Sequence, residues 1–270
     1  MMSVLKRNNV NVFGEGEKVL FFAHGFGCDQ NAWKNIEKKF IKNYKLILFD
    51  FVGAGKSDIA SYDSQKYSSL NGYANDIIEI CDALELQNVI FIGHSVSCMI
   101  GALASIKRPD IFEKLIFIGP SPCYISTGDY IGGFDQETID SLLEVMEEDY
   151  INWARSIAPS IMNSENGNKL TSELTDSFCS IDPIIAKQFA KVTFLSDNRK
   201  DLPLIPVKSL TIQCSDDIIA PLAVGKYINK NTSNNTLVVL EAHGHCPHMS
   251  HPTETFNIIN NFCYKVLPII

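Results

Sequence analysis

The sequence contains no apolar run that approaches the ~20 residues of a bilayer-spanning helix. It also lacks a concentrated basic patch, and its formal net charge of -8 would repel phosphate backbones and anionic lipid. The first residues have no apolar signal-peptide core. We therefore expect a cytoplasmic protein with no nucleic-acid partner and no membrane partner.

Paired cysteine motifs are missing as well. The eight cysteines lie far apart along the 270 residues, and no two of them form a CxxC pair. In a chain without an expected export signal, scattered cysteines are typical of buried small hydrophobic residues in a reducing compartment. The pattern argues against both a disulfide framework and a redox centre. Internal repeats and low-complexity tracts are also absent.

What the sequence does contain is a series of short segments that are apolar at nearly every position. Such runs are typical of strands buried on both faces of a parallel sheet. Helix-period segments lie between most of them, and this alternation predicts a doubly wound α/β fold. The opening SVLKRNNVNVFGEGEK predicts an additional hairpin at the sheet edge. The strand runs are VLFFA (19–23), LILF (46–49), VIFI (89–92), LIFI (115–118), LTIQC (210–214) and TLVVL (236–240), and the helical segments are AWKNIEKKFI, YANDIIEICDAL and SCMIGALASIK.

The gap between the fourth and fifth strand runs is far longer than the roughly 30 residues of one βαβ unit. From about residue 133 to residue 202 this gap carries helical spacings and no strand run. Sites in open α/β folds form beyond the carboxyl ends of the strands, so we expect a helical cap over that end of the sheet. Helices packed on a sheet face are the alternative. The predicted organisation is a core of residues 1–132 and 203–270, with a cap of residues 133–202.

Ser95 follows a buried strand run and precedes a helical segment, in the sequence IGHSVSC. This setting is typical of the sharp turn on which serine hydrolases present a nucleophile, where the usual pattern is GxSxG. Gly93 fits the pattern, whereas Ser97 stands in place of the second glycine and is among the smallest residues that such a turn could accept. A bare GxS triplet also arises by chance. Context therefore makes Ser95 the predicted nucleophile, with a helix N-cap as the alternative.

A serine nucleophile needs a base beside it and an acid that fixes the tautomer of that base. In the α/β-hydrolase fold the order along the chain is serine, acid, histidine, each beyond the end of a strand. Asp216 and Asp217 follow the fifth strand run, and the residues alone leave the choice between them open. A metal-binding tract is one interpretation of the histidines after the sixth run, but we favour a catalytic histidine because the fold places the base there. These histidines are His243, His245, His248 and His251.

The loop after the first strand run reads HGFG and predicts part of an oxyanion hole. Gly25 and Gly27 allow the backbone to turn toward a reacting carbonyl. The backbone N–H of Phe26 is then the expected partner of the Val96 N–H, which follows the nucleophile. His24 is a candidate for direct contact with the substrate, and a histidine at the edge of the core is the alternative.

Longer motifs surround these residues: HGFGCDQNAW, ILFDFVGAGKSD, GHSV, GPSPCY, QCSDDIIAP and GHCPHMSHP, with GGF, YINWA, FCSIDPIIAKQFAK and FLSDNRKDL in the insertion. With them the chain resembles the RsbQ-like family of α/β-hydrolases, which includes the plant strigolactone and karrikin receptors. The resemblance implies an α/β-hydrolase fold, a mostly parallel twisted sheet flanked by helices, with an inserted V-shaped cap of four helices. It also implies a triad of Ser95, Asp217 and His245 with oxyanion donors at Phe26 and Val96.

The function implied by the triad and the resemblance is hydrolysis of a small hydrophobic ester or lactone, with no cofactor and no metal. For an RsbQ-like protein the implied partner is a PAS-domain serine phosphatase (RsbP-like) in sigma-B stress signalling. The alternative is a ligand sensor with little turnover whose cap conformation is read by a protein partner. His24 and Ser97 match the plant receptors more than the bacterial members, which leaves the branch of the family open. Cap residues expected to contact the ligand, with packing between cap helices as the alternative, are Phe134, Trp153, Phe178, Phe189 and Phe194.

Overall fold

The computed structural model describes residues 2–163 and 169–264. Its strands are β1 (Asn11–Phe13), β2 (Lys18–Ala23), β3 (Tyr44–Leu48), β4 (Val89–His94), β5 (Phe112–Ile118), β6 (Lys208–Asp216) and β7 (Asn235–His243). They form one sheet in the order β1-β3-β2-β4-β5-β6-β7, in which β1 is antiparallel to β3 and the other neighbouring pairs are parallel. Each of the six predicted strand runs overlaps one of β2 to β7, which confirms the α/β prediction.

Helices surround this sheet and extend beyond one of its ends. Their bounds are α1 (Val4–Arg7), α2 (Leu70–Ala83), α3 (Val96–Lys107), α4 (Gln136–Glu148), α5 (Tyr150–Met162), α6 (Lys169–Ser180), α7 (Pro183–Phe194), α8 (Leu222–Asn231), α9 (Pro247–Ser250) and α10 (Pro252–Tyr264). Among the residues that the structure describes, no helix is both long and apolar enough to cross a bilayer.

The sheet is covered on both faces, and successive residues of β2 show how. Phe21 packs into a core cluster with α2, α3 and α8 on one face. Leu20 and Phe22 pack on the opposite face with α10 and the segment from Trp33 to Phe40. Because neighbouring side chains of a strand point to opposite faces, a strand in this position is apolar at every residue.

The prediction of a hairpin at the amino terminus was wrong. The segment folds as α1 followed by β1, and β1 pairs with β3 rather than with a second strand of its own. Ion pairs hold α1 against α2 instead: the Arg7 guanidinium lies 2.8 Å from Asp76 and 2.7 Å from Glu79. Partners more than 60 residues away in the chain, which periodicity does not show, decide the local conformation.

The segment AWKNIEKKFI was predicted to be helical, and it forms two short 3₁₀ helices rather than an α-helix. These are Gln30–Trp33 and Glu37–Lys39. The Asp29 carboxylate caps the first of them by accepting a hydrogen bond from the Asn31 N–H at 2.7 Å. Trp33, Ile36 and Phe40 are fully buried against the sheet, so tertiary packing replaces regular helical hydrogen bonding here.

In the described part of the insertion, four α-helices, α4 to α7, separate β5 from β6. Aspartate side chains mark three of their starts: Asp135, Asp149 and Asp182 each accept a hydrogen bond from a first-turn N–H. The apolar faces of the helices form one cluster with Cys28, Tyr124 and other residues that follow the carboxyl ends of strands. The helices therefore cap that end of the sheet, while the domain boundaries at 133 and 202 stay predictions.

Candidate active site

Ser95 occupies a sharp turn between β4 and α3. Its backbone has φ 56° and ψ -125°, a conformation that costs energy for any residue with a side chain. A Cβ atom at Gly93 would lie 2.8 Å from the backbone carbonyl of Ser97, so the turn requires glycine there. The Ser95 side chain makes no N-cap hydrogen bond to α3. The turn thus has the form of a nucleophile elbow rather than that of a helix N-cap.

A continuous hydrogen-bond chain joins Asp217, His245 and Ser95. The Nε2 atom of His245 lies 2.8 Å from Ser95 Oγ, and its Nδ1 atom lies 2.7 Å from Asp217 Oδ2. The other carboxylate oxygen of Asp217 accepts the backbone N–H groups of Ile219 at 2.9 Å and Ala220 at 3.1 Å. An anchored carboxylate holds the proton on Nδ1, so the Nε2 lone pair faces the serine hydroxyl. This arrangement is the one that activates a serine.

Among the described side chains, the neighbouring Asp216 carboxylate makes its hydrogen bonds away from His245. Its exposed carboxylate accepts hydrogen bonds from His243 Nδ1 and from the Asn163 side-chain amide, each at 3.0 Å. The two aspartates diverge because β6 ends between them, at Asp216. The geometry therefore favours Asp217 as the acid.

The other histidines of the tract are separated from one another. His248 is buried with its ring 4.6 Å from that of Trp33, whereas His243 is exposed and His251 pairs with Ser250. The described ranges, 2–163 and 169–264, contain no group of three or more His, Cys, Asp or Glu side chains that could hold a metal ion. The described histidines therefore do not form the cluster of ligands that a metal-binding tract would need.

His94, which sequence reasoning did not select, holds the backbone at His245. Its Nε2 atom donates to the backbone carbonyl of His245 at 2.9 Å. Burial holds the pKa of His94 well below its usual value, so the ring is neutral and Nδ1 carries no proton. That atom faces the HGFG loop of residues 24–27, called the oxyanion loop below, where a Cβ at Gly25 would approach it to 2.6 Å. Its place directly before the nucleophile is the sequence feature that could have pointed to it.

The two predicted oxyanion donors lie on segments that border Ser95. Val96 is the first residue of α3, and the first N–H groups of a helix have no partner within that helix. Phe26 follows Gly25, at which a Cβ would lie only 3.3 Å from Ser95 Cβ. The positive end of the α3 dipole adds to the stabilisation of a negative oxygen at this point.

Above Ser95 lies a cavity under the cap helices. Together with its mouth it holds about 670 Å³ of space outside protein atoms. No Lys, Arg, Asp or Glu side chain is among its described lining, so it suits an uncharged ligand. The lining residues are Phe26, Cys28, His94, Ser95, Tyr124, Phe134, Leu142, Trp153, Ile157, Ile161, Leu174, Phe178, Thr193, Phe194, Ile218, Ile219, His245 and Cys246.

Four of the predicted ligand-contacting residues, Phe134, Trp153, Phe178 and Phe194, line this cavity. The other two, His24 and Phe189, do not. The Phe189 ring stacks on Tyr73 at 4.3 Å and joins α7 to the core of the sheet. His24 is buried, with Nδ1 2.9 Å from the Gly25 carbonyl and Nε2 accepting the Phe51 N–H at 3.1 Å. Both residues therefore pack the structure behind the site.

A family model described as the alpha/beta hydrolase fold matches residues 18–252. The chain belongs to the α/β-hydrolase family. It is 37% identical over 250 residues to a karrikin insensitive 2 receptor of Petunia hybrida, covering 92% of this chain and 93% of that protein. It is 36% identical over 267 residues to a strigolactone esterase of Arabidopsis thaliana, covering 98% of each. A solved hydrolase from Oleispira antarctica superposes with a TM-score of 0.95 at 42% identity, covering 97% of each chain.

In this α/β-hydrolase, Ser97 does more than fill the place of the second glycine. Its fully buried hydroxyl donates a hydrogen bond to the backbone carbonyl of His24. His24 begins the loop that carries the Phe26 N–H, so the bond joins α3 directly to the oxyanion loop.

We expect Ser97→Ala to lower kcat by about tenfold, because the loop loses its bond to α3 and the Phe26 donor is held less firmly. The measurement is kcat for p-nitrophenyl acetate. Ser105→Ala is the matched control, since Ser105 is equally buried in α3 but donates to Ala102 in its own helix. Equal kcat values for the two variants would contradict a role for Ser97 in positioning the loop.

Burial lowers the pKa of His248 to about 3, and neither of its ring nitrogens has a hydrogen-bond partner among the described residues. The folded hydrolase thus keeps this ring neutral, while the unfolded chain protonates it below about pH 6.5. His248 contributes stability that is complete above that pH and is lost as the pH falls toward 3. The loss amounts to about 2 kcal/mol between pH 6.5 and pH 5.

We therefore expect His248→Leu to flatten the pH dependence of the free energy of unfolding, measured by urea denaturation at pH 7 and pH 5. Met249, the next residue, is also buried and provides the control, since Met249→Leu removes no titratable group and should keep the slope of the parent. A His248→Leu variant as pH-sensitive as the parent would show that other groups control acid sensitivity.

Proposed function

We propose that this α/β-hydrolase cleaves a small uncharged ester or lactone by nucleophilic attack from Ser95. The observation that carries the proposal is the unbroken chain of hydrogen bonds from Asp217 through His245 to Ser95, which ends beneath an apolar cavity.

In the first step Ser95 Oγ bonds to the carbonyl carbon while His245 Nε2 takes the hydroxyl proton. The carbonyl oxygen becomes an oxyanion that accepts hydrogen bonds from the Phe26 and Val96 N–H groups. His245 then returns the proton to the departing alkoxide, which leaves an acyl group on Ser95. Water, activated by the same histidine, hydrolyses this intermediate and restores the serine. The Asp217 carboxylate stabilises the imidazolium in both steps.

The uncharged lining of the cavity gives the sharpest test of substrate class. p-Nitrophenyl pentanoate and p-nitrophenyl hemisuccinate have acyl chains of similar length, but the second ends in a carboxylate. Burying that charge without a partner is costly, so we expect its kcat/KM to be lower by about 100-fold or more. The spontaneous rate of each ester, measured without enzyme, is subtracted first, because the hemisuccinate carboxylate attacks its own ester and accelerates the uncatalysed reaction. Equal corrected values would contradict an apolar substrate.

A second candidate function is that of a receptor, which hydrolyses its ligand slowly and whose cap conformation is recognised by a partner protein. The name of the Petunia hybrida relative, a receptor matched over 92% of this chain, favours it. The resemblance to the RsbQ-like family makes a PAS-domain serine phosphatase the partner to test.

We expect a purified RsbP-like phosphatase to gain activity with the parent hydrolase and a butenolide, but not with Ser95→Ala. An unchanged phosphatase rate in both mixtures would exclude this partner.

A further inference from the structure

Thr193 carries a buried hydroxyl that the fold leaves unused. The residue lies on α7, is 1% exposed and lines the cavity above Ser95. Its Oγ1 atom has no hydrogen-bond partner among the described residues. A threonine inside a helix ordinarily bonds the backbone carbonyl one turn earlier, as Thr175 does with Thr171 at 2.8 Å. Because buried polar groups are nearly always paired, this orphaned hydroxyl points to a ligand.

The last turn of α7 lies close to the catalytic groups. Phe194, the next residue, packs its ring 6.2 Å from that of Phe26 and 5.2 Å from that of Tyr124. The Tyr124 hydroxyl in turn lies 3.5 Å from Ser95 Oγ. A ligand that reaches Ser95 therefore passes beside this turn of the cap.

The rest of the cap wall is mainly hydrocarbon and aromatic. Among the lining residues that the described parts of α4 to α7 contribute, Thr193 carries the only hydroxyl; the others are Leu142, Trp153, Ile157, Ile161, Leu174, Phe178 and Phe194. In an apolar pocket, the small number of polar groups fixes the orientation of the ligand and provides specificity. A single hydroxyl on such a wall therefore contributes more to the orientation of a substrate than to its affinity.

We propose that the Thr193 hydroxyl recognises the substrate by donating a hydrogen bond to an ether or ketone oxygen remote from the scissile carbonyl. Buried donors without a partner are rarer than under-used acceptors, so the missing group is an acceptor. The inference rests on the proposed function and narrows it. The substrate is an ester or lactone with a second, uncharged oxygen on an otherwise apolar body.

The test compares p-nitrophenyl heptanoate with its 4-oxo, 5-oxo and 6-oxo derivatives on the parent and on Thr193→Val, which removes the hydroxyl and keeps the shape. We expect Thr193→Val to lower kcat/KM for the oxo ester whose ketone reaches position 193, relative to kcat/KM for the heptanoate, by about three- to tenfold. Thr193→Ser should keep the preference of the parent. The same change for all four esters, or no change for any, would overturn the proposal.

Thermal unfolding separates recognition from a structural role. Thr193→Val loses no hydrogen bond to any residue that the structure describes, so its melting temperature should equal or exceed that of the parent. Thr175→Val is the matched control on a cap helix, where the lost bond to Thr171 should lower the melting temperature. A similar decrease for Thr193→Val would overturn the proposal. Full activity of Ser95→Ala would instead defeat the proposed function, a result distinct from missing oxo-ester discrimination.

Discussion

Replacement of Ser95 by alanine is expected to lower the turnover of p-nitrophenyl acetate by about 10⁴-fold or more. Without Oγ, the Nε2 atom of His245 has no nucleophile to deprotonate, and only the oxyanion donors and the cavity remain to assist attack by water. The alanine variant should still fold, because the side chain makes no capping bond and, among the described residues, its hydroxyl contacts only His245 and Tyr124.

Three control measurements accompany the turnover rate of Ser95→Ala. Ser105→Ala, another buried serine on the α3 segment, should turn over like the parent. The melting temperature of Ser95→Ala should stay near that of the parent. Chelation with EDTA should leave the parent rate unchanged, since the proposed chemistry uses only side chains, backbone N–H groups and water. A Ser95→Ala protein that retains most of its activity, combined with inhibition by EDTA, would indicate metal-dependent hydrolysis instead.

The fold was predictable because its main determinant is local in the sequence. A strand such as β4 is buried on both faces, so every residue of VIFI is apolar and the run is visible without a structure. In the α/β-hydrolase fold the serine, the acid and the histidine each follow a particular strand, so the order of the strand runs along the chain predicts where each residue lies. The 3₁₀ helix at Gln30–Trp33 and the helix α1 were not predictable, because contacts with distant residues decide them.

Within the site, the residues involved were easier to predict than the directions in which their side chains point. Helical spacing placed Phe189 and Phe194 on the same cap helix, but the two rings face different neighbours. Phe189 stacks on Tyr73 of the core, and Phe194 faces the cavity. The same limit applies to His24, whose ring is held by two backbone groups. The unpaired hydroxyl of Thr193 is a property of three-dimensional contacts, and no sequence pattern reveals it.

The choice between the two aspartates, open in the sequence, leads to the second large prediction. In Asp217→Asn, the amide oxygen should take the place that accepts the Ile219 and Ala220 N–H groups. The amide N–H₂ then faces His245 Nδ1 and donates to it, which forces the imidazole proton onto Nε2. That proton points at Ser95, so the histidine can no longer act as the base. We expect kcat to decrease by roughly 10⁴-fold.

Asp216→Asn is the matched control, one residue away and with the same chemical change. Asp216 is exposed and contacts only His243 and Asn163 among the described side chains, so its loss should alter kcat by less than about twofold. Both variants are compared by kcat for p-nitrophenyl acetate and by melting temperature. If Asp216→Asn lost as much activity as Asp217→Asn, the anchored carboxylate at position 217 would not be the group that orients His245. If neither variant lost activity, the histidine would need no orienting acid.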